Sequence, residues 1–201
     1  MGRRTTEQVA RVIRAHGGTL RTSEAERLGV RRQALYRLRD LGLVVPVSRG
    51  VYRLADLPDL SEPDLVAVAT RIPRAVVCLV SALALHEITN EIPHEVHVAL
   101  PRDVKTPRLD YPPLRVFHFS GAALTEGVET REIDGVAVRV YGPEKSVADA
   151  FRFRNQLGLD LAIEALKLCL ERKRASRATL LHFARICRVN KVMLPYLEAL
   201  Q

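Results

Sequence analysis

Along the first sixty residues, apolar positions recur three times at helical spacing and then switch to short strand-like runs. In TTEQVARVIRAHGG, Val9, Val12 and Ile13 form one stripe, which predicts a helix. Thr5 with Gln8 three residues on is a capping-box pattern, and Gly17-Gly18 supplies the stop. TLRTSEAERLGV predicts a second, shorter helix, capped by Thr22 or Ser23, with Ala25 and Leu28 facing inward. RRQALYRLRDLG predicts a third. At 100° per residue Leu35 and Leu38 centre its buried face and Leu41 flanks it, so Arg32, Gln33, Tyr36 and Arg37 project from the opposite side. LVVPVSRGVYRL follows as two β-rich runs around Ser48-Arg49-Gly50, which is hairpin spacing. Three short helices and a hairpin, in that order, predict a winged helix-turn-helix.

After ADLPDLSE, read as a linker, the pattern changes, so the expected domains are 1–58 and 59–201. DLVAVATRIP predicts a helix capped by Ser61, with Pro63 in its first turn. AVVCLVSALALHEIT mixes a short strand with a helix over Ser81–His86. EVHVALP alternates as a strand, RVFHFS reads as another, and REIDGVAVRVYGP carries two more around the turn Asp134-Gly135. From Pro143 onward the spacing is helical. The fold class expected is α+β: an N-terminal winged helix-turn-helix, then an α+β domain with a small, mostly antiparallel sheet and C-terminal helices.

Charge sharpens the picture of the first segment. Residues 1–58 hold 12 Arg and no Lys against 5 Asp+Glu, whereas residues 59–201 are nearly balanced at 19 Lys+Arg against 18 Asp+Glu. A compact, arginine-only excess points to a polyanion, because guanidinium pairs bidentately with phosphate and with guanine edges. In the predicted motif the third helix enters the major groove, so Arg32, Gln33, Tyr36 and Arg37 are candidate DNA contacts. Arg49 at the wing tip is a further candidate, and Arg3 and Arg4 suit an N-terminal arm. Winged helices also serve as protein-docking modules, and that reading stays open beside DNA binding.

Other classes find less support. No apolar run reaches the roughly 18 residues that span a bilayer, and no apolar stretch follows the N-terminal arginines as in a secretory signal, so a cytoplasmic protein is expected. Cys78, Cys169 and Cys187 are odd in number and far apart, which suits buried thiols rather than disulfides or a zinc site. No glycine-rich phosphate loop, HExxH or G-x-S-x-G is present, and no cofactor is expected. His86, His94 and His97 lie near one another in sequence without the spacing of metal ligands. Glu144, Lys145 and Asp149 open a helix after a strand; an acid–lysine–acid group of this kind also suits a metal-dependent nuclease or phosphotransferase, with the winged helix as its targeting module.

Longer stretches carry a family resemblance. SRGVYRL after a basic helix-turn-helix, SALALHEITNEIP followed by EVHVALP, and YGPEKSVADAFRFRNQLGLDLAIEALK together resemble the AbiEi family, antitoxins of type IV toxin–antitoxin (abortive-infection, phage-defence) systems. The resemblance runs from about residue 5 to about residue 185; the chain departs from it at His86-Glu87-Ile88, where the family commonly has His-Gly-Leu. It implies a transcriptional autorepressor rather than an enzyme. The implied partner is double-stranded operator DNA, inverted repeats in the protein's own promoter. It also implies a C-terminal domain that counters a nucleotidyltransferase-fold toxin without a stable complex. Carried onto the matching helix and wing, the DNA-binding set becomes Arg31, Arg32, Gln33, Tyr36, Arg37 and Arg49. For toxin countering the resemblance identifies no residue, and Arg152, Arg154 and Lys167 are the expectation from charge alone.

Overall fold

The computed structural model describes residues 5–200. The N-terminal arm expected of Arg3 and Arg4 lies outside them. The chain forms two compact units, one of residues 1–73 with 131–138 and one of 74–130 with 139–201.

The first unit is a winged helix-turn-helix. Helix α1 (Thr6–Ala15) starts at the expected capping box: Gln8 N–H donates to Thr5 Oγ1, and Thr5 N–H donates to Gln8 Oε1. A three-residue strand, β1 (Thr19–Arg21), follows where the sequence showed no strand pattern. Helix α2 is Thr22–Arg27 and α3 is Arg32–Asp40. Strands β2 (Val44–Ser48) and β3 (Val51–Leu54) make the wing, and the sheet order is β1-β3-β2, antiparallel throughout. Val9, Ile13, Leu20, Ala25, Val30, Leu35, Leu38 and Leu54 form one core beneath the helices.

Two local expectations change. Neither Thr22 nor Ser23 caps α2; Arg21 takes that position, and the Thr22 hydroxyl donates to Gly50 O at 3.1 Å instead. Leu41 is 57% exposed, because it ends α3 as its C-cap rather than continuing the buried stripe.

The junction expected at 58/59 falls inside this unit, which runs on to Pro73. Helix α4 (Pro63–Arg71) packs on all three strands of the β1-β3-β2 sheet, burying Leu65, Val66 and Val68. Ser61 does not cap it; its N–H and hydroxyl both donate to Asp134 Oδ2, at 2.9 and 3.0 Å. Arg53 is buried and binds the backbone: Nη1 donates to Asp134 O and Nη2 to Pro58 O, both at 3.1 Å. This arginine therefore belongs to the scaffold and not to the free basic surface.

The second unit is a sheet with helices. In chain order it holds β4 (Val76–Val77), α5 (Leu79–Leu85), β5 (Val96–Pro101), β6 (Leu114–Phe119) and α6 (Ala122–Thr125). Then come β7 (Val128–Ile133) and β8 (Val136–Tyr141), of which residues 131–138 count with the first unit, and α7 (Pro143–Arg152), α8 (Arg154–Leu157), α9 (Leu159–Glu171), α10 (Arg177–Ile186) and α11 (Asn190–Ala199).

The α+β class holds, but the five-stranded sheet β6-β5-β4-β8-β7 is mixed rather than mostly antiparallel. β4 runs antiparallel to β5, while β4–β8 and β5–β6 are parallel pairs. β7 and β8 are neighbours joined by Asp134-Gly135, a connection short enough for an antiparallel hairpin only. The connection between β5 and β6, residues 102–113, is long enough to carry the chain back to the same end of the sheet, as a parallel pair needs. Val96 through Leu100 are all buried, the pattern of a strand covered on both faces. Beside the sheet, α5, α7, α9, α10 and α11 share a core that includes Leu83, Phe151, Leu166, Leu180 and Leu197.

Candidate nucleic-acid interface

Leu35 and Leu38 are buried, at 0% and 1% exposure, and fix the rotation of α3. Truncating either to Ala removes about 2–5 kcal/mol of core packing. With that face fixed, Arg31, Arg32, Gln33, Tyr36 and Arg37 are all exposed on the rest of the helix. Arg31 is the N-cap, in extended backbone, so the helix begins at its basic end. Arg49 is exposed in the wing turn beside Gly50, whose φ of +75° makes that turn. The turn is tied to the start of α2, since Gly50 O accepts from both Thr22 N at 2.8 Å and the Thr22 hydroxyl.

The helix and wing thus present the six expected residues, but their cations are not equivalent. Arg32 Nε lies 3.6 Å from Glu26 Oε1, so its charge is partly spent on α2. Arg39 is held by Asp40, with Nη2–Oδ1 at 2.8 Å and Nε–Oδ1 at 3.0 Å, and its guanidinium lies 5.1 Å from the Tyr36 ring centroid. The hydrogen bond and charge of Asp40 raise the Arg39 pKa further. The guanidinium groups of Arg31 and Arg37 make no hydrogen bond or ion pair among the described residues. Residue spacing on α3 cannot reveal the pairing of Arg32, because Glu26 sits on another helix.

The polar residues of the second unit are arranged differently. Lys145 Nζ and Asp149 Oδ2 are 2.5 Å apart, and neither side chain is exposed. Lys145 Nζ also sits 4.1 Å from the Tyr141 ring centroid and 4.9 Å from that of Phe119. Cys187 Sγ donates to Asp149 Oδ1 at 3.2 Å. Burial pushes the Asp149 carboxyl above its ordinary range, against the opposing Lys145 charge. Burial also pushes the Cys187 thiol up to about 12 and raises Cys78. Glu144 alone of the acid–lysine–acid group is partly exposed. The group is therefore a buried ion pair with a flanking acid, not three functional groups lining an opening.

The histidines do not converge. His86 Nε2 lies 2.7 Å from Tyr141 O, His94 is exposed, and His97 Nε2 lies 3.4 Å from Glu95 Oε1. Among the described residues no three His, Cys, Asp or Glu side chains are grouped to hold a metal. Nor is any helix among them long and apolar enough to cross a membrane. Arg152 stacks over Phe119 and Phe153, Arg154 Nη1 donates to Phe151 O at 2.9 Å, and Lys167 pairs with Glu171 at 3.8 Å.

Residues 7–55 match the family model AbiEi_4, described as "Transcriptional regulator, AbiEi antitoxin". No curated protein matches the chain. The chain is similar in fold to the crystal structure of the RV2827C protein from Mycobacterium tuberculosis, with a TM-score of 0.55 and 15% identity, over 98% of this chain and 83% of that one. The resemblance to AbiEi antitoxin regulators read from the sequence is thereby shown over residues 7–55, the segment that builds the helix-turn-helix and its wing.

Proposed function

We propose that this protein is a sequence-specific DNA-binding autorepressor and the antitoxin of a type IV toxin–antitoxin pair, acting in the cytoplasm on a nucleotidyltransferase-fold toxin. The observation that carries the DNA-binding part is the free face of α3, where exposed Arg31, Arg32, Gln33, Tyr36 and Arg37 surround a rotation set by buried Leu35 and Leu38. In the major groove, Gln33 has the chemistry to read adenine, and an arginine the chemistry to read guanine. The remaining cations, with Arg49 on the wing, neutralise phosphates and set the register. The match of residues 7–55 to an antitoxin transcriptional regulator supports the same assignment. Toxin countering is assigned to the second unit, and it needs no stable complex.

The test is fluorescence anisotropy of the whole protein against its own upstream DNA and a scrambled duplex, at several salt concentrations. Tighter binding to the upstream duplex, weakened steeply by salt and lost in Arg32→Ala/Arg37→Ala, is the expected result. Equal affinity for both duplexes, or operator affinity indifferent to both substitutions, overturns it. Co-expression with the neighbouring toxin gene tests the antitoxin half: growth must be rescued by the intact chain and not by residues 1–73 alone.

A further inference from the structure

A cavity of about 350 Å³ opens between the N-terminal turn of α1 and the first turns of α3. It is at the lower end of the roughly 300–1,000 Å³ that small-ligand pockets span. Its lining divides by chemistry. Arg31, Gln33 and Arg37 of α3, with Thr5 and Thr6 of α1, supply polar groups, and Val9, Val30, Ala34 and Leu38 supply an apolar wall. The two arginines are the same two that lack an ion pair among the described residues.

We infer that this cavity is an effector site for a small organic anion with an apolar body, such as an aromatic carboxylate, and that its occupancy releases DNA. The charge of such a ligand meets Arg31 and Arg37, whose guanidinium groups favour bidentate contact with a carboxylate. Its body covers Ala34, the part-exposed apolar residue of the lining, against the buried Val9, Val30 and Leu38 behind it, removing that apolar surface from water. A DNA phosphate uses only the charged part of this lining; an apolar wall beside it matches a ligand that carries its own carbon skeleton. The release of DNA rests on the autorepressor reading. A bound anion neutralises two cations that would otherwise displace counterions from DNA, so affinity falls and the salt slope drops by about two.

The experiment uses the whole protein and 2-naphthoate, a fluorescent aromatic carboxylate, with inorganic phosphate as competitor. Saturable binding of one naphthoate per chain is expected. Ala34→Leu on one wall and Thr6→Leu on the other narrow the cavity without removing a charge, and each should weaken naphthoate by about tenfold or more. Thermal melts of both establish that the fold persists; should one variant fail to fold, the other carries the test. Naphthoate should release operator DNA from the wild-type protein and fail to release it from Ala34→Leu. Absence of saturable binding overturns the site. So does naphthoate binding that neither substitution weakens, or displacement by phosphate at equal concentration, which leaves an anion seat without an apolar part. Filling-sensitive naphthoate binding in a protein without specific DNA affinity upholds the cavity and sinks the autorepressor reading. Specific DNA binding unmoved by saturating naphthoate upholds that reading and overturns release.

Discussion

Lys145 and Asp149 close a 2.5 Å ion pair one turn apart on α7, with neither side chain exposed to solvent. Taking two charges out of water is expensive, and their attraction offsets that only while both are present. Lys145 is further held by the Tyr141 ring, and Asp149 by the Cys187 thiol. Lys145→Met therefore strands a buried carboxylate and should destabilise the protein by about 3–5 kcal/mol. The double variant Lys145→Met/Asp149→Leu removes both charges and should recover much of that loss. Urea unfolding of the two variants checks it. A double variant as unstable as the single one would mean that the pair is not the source of the effect.

Arg32 and Glu26 set up a second prediction, on binding rather than stability. The carboxylate lies 3.6 Å from Arg32 Nε, both side chains are about half exposed, and Glu26 adds negative charge beside the face proposed to meet phosphate. Exposed pairs of this kind contribute only about 0–1 kcal/mol to folding. Glu26→Gln should leave the melting temperature nearly unchanged and tighten operator binding several-fold, by freeing Arg32. Arg39, committed to Asp40 and Tyr36, is the control: Arg39→Ala should weaken DNA binding much less than Arg37→Ala. Anisotropy titrations at one fixed salt concentration decide both comparisons.

Much of the first unit was legible because its determinants are local. The Thr5/Gln8 capping box, the Leu35/Leu38 stripe and the Ser48-Arg49-Gly50 turn each lie within a few residues of the element they define. What the pattern did not reveal depends on distant partners. β1 is only three residues long, and its strand character comes from pairing with β3, Leu20 opposite Tyr52. Ser61 is a good cap by type, yet Asp134, remote in sequence, takes its donors. The parallel pairs of the second sheet were hidden for the same reason, since alternation marks a strand but not its neighbour. In the candidate site the residue types were readable, while the division of arginines into paired and free was not.

His97 links the second unit's stability to pH. It is 5% exposed on β5, and burial holds its imidazole pKa below the ordinary value, with Glu95 pulling the other way and Arg115 adding to the lowering. Unfolded, the ring takes a proton near pH 6.5. Folded, it takes one only at lower pH. Between the two values only the unfolded chain binds the proton, so this group's contribution to stability falls as the pH drops below about 6.5. Its loss ends once the native ring also protonates. The difference in unfolding free energy between wild type and His97→Gln should accordingly vary with pH across that window and be flat above it. A difference that stays constant from neutral pH down to pH 5 contradicts this role.

Gly50 and Gly17 both adopt left-handed backbone, φ +75° and +82°, yet the consequences of adding a methyl group differ. At Gly50 a Cβ would meet only Thr22 Oγ1 at 3.6 Å, an ordinary contact. Gly50→Ala should then lose only the backbone preference, about 1–2 kcal/mol. At Gly17 the Cβ would fall 2.1 Å from Gly135 O, and at Gly135 a Cβ would fall 2.3 Å from Gly17 O. Both obstacles are backbone, so no side chain can swing aside. Gly17→Ala must separate the 131–138 turn from the end of α1, and with it strain the Asp134 contacts to Arg53 and Ser61. Its destabilisation should exceed that of Gly50→Ala by clearly more than 1 kcal/mol, an estimate set by the cost of lost buried hydrogen bonds. Paired thermal melts test the ordering. Equal losses would mean that the Gly17–Gly135 approach relaxes freely and does not hold the turn in place.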